Sequence, residues 1–290
     1  MEEPSFNFNI CIVGLGLIGG SYAKALRELK PNKIYGIDNN NNTLESAVEM
    51  GIIDEGYCDG NIVINKSKLI ILALYPYDAI KFVKENISKF RPGTVITDAC
   101  GVKKVLIEEI NSYLPEDIEY VGGHPMAGKE SSGFECSSKD MFRNTNYIIT
   151  PHDRNTEENL KLIENMALAI GCSKVTRIDF EEHDKILTFT SQLPHLLAVS
   201  LMNSENFSNS SRLFVGGSFR DATRVAEING VLWTQLFKLN SEKLINEIED
   251  FEKILNKVKA AIKAPDNGAL EELFYNSYQR KRMMSKNEAN

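Results

Sequence analysis

With 290 residues, 42% apolar side chains and a formal net charge of -7, the chain can bury a sizeable core split between two domains, and it is too acidic to offer the basic face that nucleic acid or an anionic membrane requires. If the ligand is anionic, its positive contacts must be local. The five cysteines (Cys11, Cys58, Cys100, Cys136 and Cys172) are scattered and form no C-x-x-C pair, which argues against a disulfide framework or a zinc site and fits a reducing cytoplasm. Residues 1–9 are acidic and polar, so no signal peptide is expected, and no apolar run is long enough to span a bilayer.

From residue 9 to about 178, short β-branched-rich runs alternate with helical patterns, which predicts a parallel sheet covered by helices. The expected strands are 10–13, 34–37, 69–74, 94–97, 120–121, 147–149 and 174–176. After 178 strand-like runs vanish. Asp179, with Glu182 three residues on, predicts a capped helix running toward Ser204. Leu244, Ile248, Phe251, Leu255, Val258 and Ile262 form an apolar stripe ended by Ala264-Pro265-Asp266-Asn267-Gly268; spacing alone leaves open whether it is core or a dimer seam. The resulting expectation is an α/β Rossmann-type domain over 1–178 followed by an all-α domain over 179–290. The sequence stops soon after Lys281-Arg282, which predicts no additional regulatory domain.

The first strand runs into Gly14-Leu15-Gly16-Leu17-Ile18-Gly19, a G-x-G-x-x-G turn opening a helix. Gly14 permits the tight turn, Gly16 lets the backbone approach a pyrophosphate, and Gly19 lets helix and strand pack, with Leu15, Leu17 and Ile18 completing the phosphate loop. The second strand ends in Asp38, placed to take ribose hydroxyls and to repel a 2′-phosphate; NAD is therefore the expected cofactor. A glycine-rich turn in some other α/β domain, with Asp38 as a helix cap, is the bland alternative. Tyr75, past the strand at 69–74, is either a nucleotide contact or a surface aromatic.

Val121-Gly122-Gly123-His124-Pro125-Met126-Ala127-Gly128-Lys129-Glu130-Ser131-Ser132-Gly133 places a histidine at the carboxyl end of a strand, where ligands sit in such sheets. Imidazole suits the proton transfer an alcohol oxidation needs, although an isolated histidine is more often structural. This segment, together with Thr97-Asp98-Ala99-Cys100-Gly101-Val102-Lys103, His183-Asp184, Ser191-Gln192-Leu193-Pro194-His195 and Gly216-Gly217-Ser218-Phe219-Arg220-Asp221-Ala222-Thr223-Arg224 through Trp233, resembles the prephenate dehydrogenase family over nearly the whole chain.

The resemblance implies that His124 is the catalytic histidine on a ring hydroxyl, that His195, Arg224 and Gln192 bind the substrate, that prephenate or arogenate is the small-molecule substrate, and that the helical half builds a homodimer. By pattern alone Arg224 is a solvated helix residue in register with Arg220, with Asp221 and Glu227 nearby. Two positions depart from the family. Gly101 stands where several relatives have a serine whose hydroxyl could assist the histidine, and Gln192 stands where some have a second histidine. Cys100 is expected to be a packing residue; His183 and His152 are expected to be structural or exposed. A β-hydroxyacid dehydrogenase, which usually relies on a lysine in its helical part, and a non-catalytic NAD-binding protein are the rival readings.

Overall fold

Central parallel strands are covered on both faces, so their residues must be apolar throughout and divide between two cores by alternation. The computed structural model, which describes residues 6–287, has one sheet built from β1 (Asn9–Val13), β2 (Lys33–Ile37), β3 (Glu55–Tyr57), β4 (Leu69–Leu72), β5 (Val95–Asp98), β6 (Glu119–Pro125), β7 (Asn146–Thr150) and β8 (Lys174–Arg177). Met1 to Ser5, on which part of the expected leaderless start rests, and Glu288 to Asn290, where the expected second domain ends, lie outside the described residues. The strand order is β3-β2-β1-β4-β5-β6-β7-β8, and every neighbouring pair is parallel except β6 with β7.

Ile10 and Ile12 of β1 join one core with Tyr22 and Leu26 of α1 (Leu17–Glu28), Leu44 of α2 (Asn41–Glu49) and, further along the sheet, Ile163 of a helix described below. Cys11 and Val13 enter the other, beside Ala79 and Val83 of α3 (Pro76–Asn86) and Leu106 and Ile110 of α4 (Lys104–Tyr113). Ile163 belongs to α5 (Glu157–Ala169), which precedes the last strand. Of the expected strands, all seven form; β3 was not foreseen, because Glu55-Gly56-Tyr57 is a three-residue edge strand with no apolar run. Ala73 and Leu74, expected in β4, leave it and enter the loop before α3.

Asp179 caps α6 (Phe180–Leu187), its carboxylate accepting the N–H groups of Glu181 and Glu182. One wide π-helical turn at Thr188–Gln192 then leads into α7 (Leu193–Met202). Pro194 has no N–H to give the preceding turn, which accounts for the loosened hydrogen bonding there, and such bulges recur at functional sites. Two shorter helices follow, α8 (Gly217–Thr223) and α9 (Gly230–Leu239). Leu236 of α9 reaches the second core, so this helix packs with the sheet layer.

The chain forms two compact units, 1–240 and 241–290. The second is α10 (Ser241–Lys263) packed with α11 (Gly268–Asn287), separated where the Pro-Asp-Asn-Gly breaker was read. Along the α10 stripe Leu244 is buried, whereas Leu255 and Ile262 are 50% and 66% exposed. Phe274, Tyr275 and Tyr278 of α11 are likewise exposed. No helix among the described residues is long and apolar enough to cross a membrane.

Candidate active site

Because β1 has β2 on one side and β4 on the other, the chain reverses its winding at β1, and the crevice at the carboxyl ends of β1 and β4 is where such sheets take ligands. A cavity of about 600 Å³ opens there, lined on the sheet side by Gly16, Leu17, Ile18, Tyr75 and His124 and on the helical side by Gln192, His195 and Trp233.

The nucleotide turn is built as its glycines require. Gly14 sits at φ +86°, and a Cβ on Gly19 would lie 1.7 Å from the Gly14 carbonyl oxygen, so neither position tolerates a side chain. Around Gly16 a Cβ would meet open space. α1 starts there with no side-chain cap and no acid in its first turn, leaving its amides and positive end for an anion. Asp38 is fixed by two backbone donors: Oδ2 accepts from Leu15 N–H at 2.7 Å and Oδ1 from Asn40 N–H at 2.9 Å. Each oxygen keeps a lone pair for a ribose hydroxyl. This cradle fits a dinucleotide. Tyr75 ends the next loop at the cavity, its hydroxyl accepting from Asn229 Nδ2 at 2.6 Å.

β6 pairs with β5 from Glu119 up to Val121; Gly122 to Pro125 run on beside β7, which carries His124 past the end of β5 and into the cavity wall. The Gly-Gly pair is a packing necessity. A Cβ on Gly123 would lie 2.4 Å from Tyr147 Oη and 2.8 Å from Asp98 O, and one on Gly122 would lie 2.2 Å from Thr150 Oγ1. Beneath them Asp98 is fully buried, and its carboxylate accepts from Tyr120 Oη at 2.8 Å, Gly123 N–H at 3.0 Å and Cys100 N–H at 2.8 Å, and pairs with the equally buried Lys103 ammonium. This hub holds the strand that carries His124.

His124 does not stand alone. Its Nδ1 lies 2.9 Å from Nε2 of His183, whose Nδ1 lies 2.8 Å from Asp184 Oδ1. Burial first, and then the charge of Lys103, hold the His124 imidazole well below its usual pKa, so it is neutral and able to accept a proton. Of the two expectations for His183, structural or exposed, exposure does not hold: it is 5% exposed, and its Nε2 faces His124. His152 is structural as expected, its Nε2 2.7 Å from Tyr120 O. Cys100 is buried with its thiol pushed well up by desolvation, which suits packing rather than nucleophilic chemistry.

On the helical wall the His195 ring stacks on Trp233 with centroids 3.8 Å apart, and its Nδ1 lies 2.8 Å from Ser191 O. Gln192 also lines the cavity, but its carboxamide is turned into a buried network: Oε1 accepts from Asn240 Nδ2 at 2.9 Å and Nε2 donates to Leu236 O at 3.4 Å. Arg224 lies outside α8, which ends at Thr223, so it does not continue the helical face of Arg220. Its partner is Glu130 of the histidine loop, 2.5 Å away and 94 residues distant in sequence, rather than Asp221 or Glu227. His183, Asp184, Glu130 and Asn240 are the groups that sequence reasoning missed as neighbours of the site. The adjacent His-Asp pair was the only one with a signal, an acid beside an imidazole.

The family profile described as "Prephenate dehydrogenase, nucleotide-binding domain" matches residues 22–176, and "Prephenate dehydrogenase, dimerization domain" matches 179–276. The chain belongs to the prephenate dehydrogenase family. Among curated members of the family, the prephenate dehydrogenase of Bacillus subtilis is 29% identical over 264 residues, covering 89% of this chain and 71% of the relative. The solved prephenate dehydrogenase of A. aeolicus, in complex with hydroxyphenyl propionate and NAD+, is 32% identical with a TM-score of 0.85 over 98% of both chains. The arogenate dehydrogenase of Synechocystis is 25% identical with a TM-score of 0.81, covering 96% of this chain and 99% of that one. Prephenate dehydrogenase family members similar to this chain thus include enzymes named for either substrate.

Proposed function

We propose that the chain is an NAD-dependent prephenate dehydrogenase, converting prephenate to 4-hydroxyphenylpyruvate and CO2 on the route to tyrosine. One observation carries the reading: a single cavity is bounded by the phosphate turn at Gly16, by the neutral imidazole of His124 and by His195 on the opposite, helical wall. NAD+, when bound, supplies the hydride acceptor. Asp38 takes the ribose hydroxyls, and Gly14, Leu15, Gly16, Leu17, Ile18 and Gly19 form the cradle for the pyrophosphate, with Tyr75 at its rim. Loss of the ring-hydroxyl proton to His124 Nε2 together with loss of hydride from the same ring carbon gives that carbon the carbonyl character through which the ring carboxylate leaves as CO2. The same imidazole returns that proton to the phenolate oxygen that aromatisation creates, so no net proton is consumed.

His195 and Arg224 grip the two carboxylates, and Gln192 shapes the wall by its body, since its amide is already engaged. Arg224 must exchange its partner Glu130 for substrate. Because the side-chain carboxylate, unlike the ring carboxylate lost as CO2, is present throughout the reaction, Arg224→Ala should raise the Michaelis constant for prephenate at least about tenfold with little change in kcat; steady-state kinetics in which only kcat fell would contradict this role.

His195 carries a pH signature. Its Nδ1 hydrogen is committed to Ser191 O, so only protonation at Nε2 lets the ring donate to a carboxylate. Burial, then the charge of Arg224, lowers its pKa below the usual 6.5, against the opposing pull of the Ser191 carbonyl and Glu130. In the free chain the ring is neutral near pH 7, and an anionic ligand raises its pKa by favouring the cation. Binding should therefore take up a proton, and the Michaelis constant should rise with pH between the lowered free value and the raised bound one. Calorimetry in buffers of different ionisation heat should register that uptake; identical heats and a flat Michaelis constant from about pH 6 to about pH 8 would refute it.

The assignment of 1–178 to the nucleotide and 179–290 to substrate binding and homodimer formation is supported by the end of β8 at Arg177, by the meeting of the two family matches near 178, and by exposed apolar side chains on α10 and α11. The five cysteines are free, which supports a reducing, cytoplasmic setting. Arogenate, whose side chain bears an ammonium in place of the ketone, is the second reading, favoured by the likeness to the Synechocystis enzyme. Against a β-hydroxyacid dehydrogenase, the helical wall of the cavity, from Leu187 to Leu236, contributes no lysine among the described residues. Initial rates of NADH formation should give a kcat/KM for prephenate above that for arogenate; the reverse order would move the assignment to arogenate, and no NADH with either would end it.

A further inference from the structure

Asp184 is 2% exposed, and its two carboxylate oxygens cap the start of α4: Oδ1 accepts from Lys103 N–H at 2.9 Å and Oδ2 from Lys104 N–H at 3.0 Å. Both oxygens act as acceptors, so the hydrogen in the contact between Asp184 Oδ1 and His183 Nδ1 belongs to His183. A neutral imidazole has one N–H, which leaves Nε2 of His183 as an acceptor facing Nδ1 of His124 at 2.9 Å. That contact is a hydrogen bond only if His124 carries its own hydrogen on Nδ1. The consequence is a bare Nε2 lone pair on His124, the form a base needs. The opposite polarity, with His183 donating to His124 Nδ1, would put the His124 hydrogen on Nε2 and disable it.

We infer that His183, held by Asp184, is a positioning residue that fixes the tautomer of His124, in the place of the hydroxyl that Gly101 does not provide; this rests on the reading of His124 as the base. The dyad is braced from behind. Thr188 Oγ1 donates to Asp184 O at 2.7 Å, and Asn240 Nδ2 donates to Asp184 O, to Thr188 Oγ1 and to Gln192 Oε1 at 3.2, 2.8 and 2.9 Å. The three atoms nearest to a Cβ on Gly101 would be Leu236 and Leu187 carbons, at 3.6 to 3.9 Å, so the immediate surroundings of that position are apolar. When His124 takes a proton at Nε2, its Nδ1–H and the Nδ1–H of His183 line up toward the Asp184 carboxylate, which stabilises the imidazolium as in other acid-oriented catalytic histidines.

The chain has four histidines, which makes ring-nitrogen NMR tractable. In the full-length protein, long-range 15N–1H spectra should find His124 protonated on Nδ1 and bare on Nε2; His183→Leu should abolish this preference, while His183→Gln, whose Oε1 still accepts, should largely keep it. Turnover should fall about 100-fold in His183→Leu and about tenfold or less in His183→Gln, with NAD+ affinity and the Michaelis constant for prephenate unchanged. Wild-type His124 protonated on Nε2, or full turnover in His183→Leu, would overturn the inference. Should the wild type reduce NAD+ with neither prephenate nor arogenate, the functional proposal falls, and the nitrogen spectra alone still decide whether His183 sets the tautomer.

Discussion

Replacing His124 with Asn is expected to leave NAD+ binding within about twofold and to lower kcat by about 10³-fold, within the range that a positioned general base contributes. The cradle at Gly14 to Gly19 and Asp38 is unaffected by the change, while asparagine offers no group that can accept the hydroxyl proton. The pH profile of the unaltered enzyme provides the companion observation. Turnover needs neutral His124 and is lost as pH falls through its pKa; burial above all, and then the buried Lys103 ammonium, depress that value from 6.5. The acid limb of kcat/KM, which reports the free enzyme, should therefore lie below the ordinary histidine range. An acid limb at or above the ordinary value, or an Asn variant with normal turnover, would show that another group takes the proton.

The second large effect is on stability. Lys103→Met should destabilise the protein by about 3–5 kcal/mol, because it strands the Asp98 carboxylate in a site where neither group is exposed to water. Three other donors still reach Asp98, from Tyr120, Gly123 and Cys100, but none carries a charge to offset it. For a chain of this size that loss corresponds to a fall of roughly 10 °C in the melting temperature. Since Gly123 N–H is one of the donors, turnover should fall too in the variant that remains folded, through the strand that carries His124. A melting temperature within about 2 °C of the unaltered protein would mean that the pair contributes little.

The fold was legible because its signals are local. Short β-branched-rich strands, the G-x-G-x-x-G turn and the Asp179 cap each announce themselves within a few residues, and all three form where they were read. β3 escaped because an edge strand of three residues need not bury an apolar run. The site was legible only in part, for the opposite reason. His124, His195 and the nucleotide turn stand in recognisable motifs, but their partners come from afar: His183 is 59 residues from His124, Glu130 is 94 from Arg224, and Asn240 is 48 from Gln192. A histidine near a helix start reads as structural or exposed until the strand that packs over it is placed. Likewise the amide of Gln192 looked free for substrate until α9 brought Asn240 and the Leu236 carbonyl against it.

The arrangement stands or falls on where the ring oxygen of the bound molecule lies. A crystal structure with NAD+ and 4-hydroxyphenylpyruvate should place the phenolic oxygen about 2.6–3.2 Å from Nε2 of His124, with the side-chain carboxylate held from the helical wall. A ring bound the other way round, with its oxygen away from His124 and the imidazole touching neither product nor nicotinamide, would contradict the account.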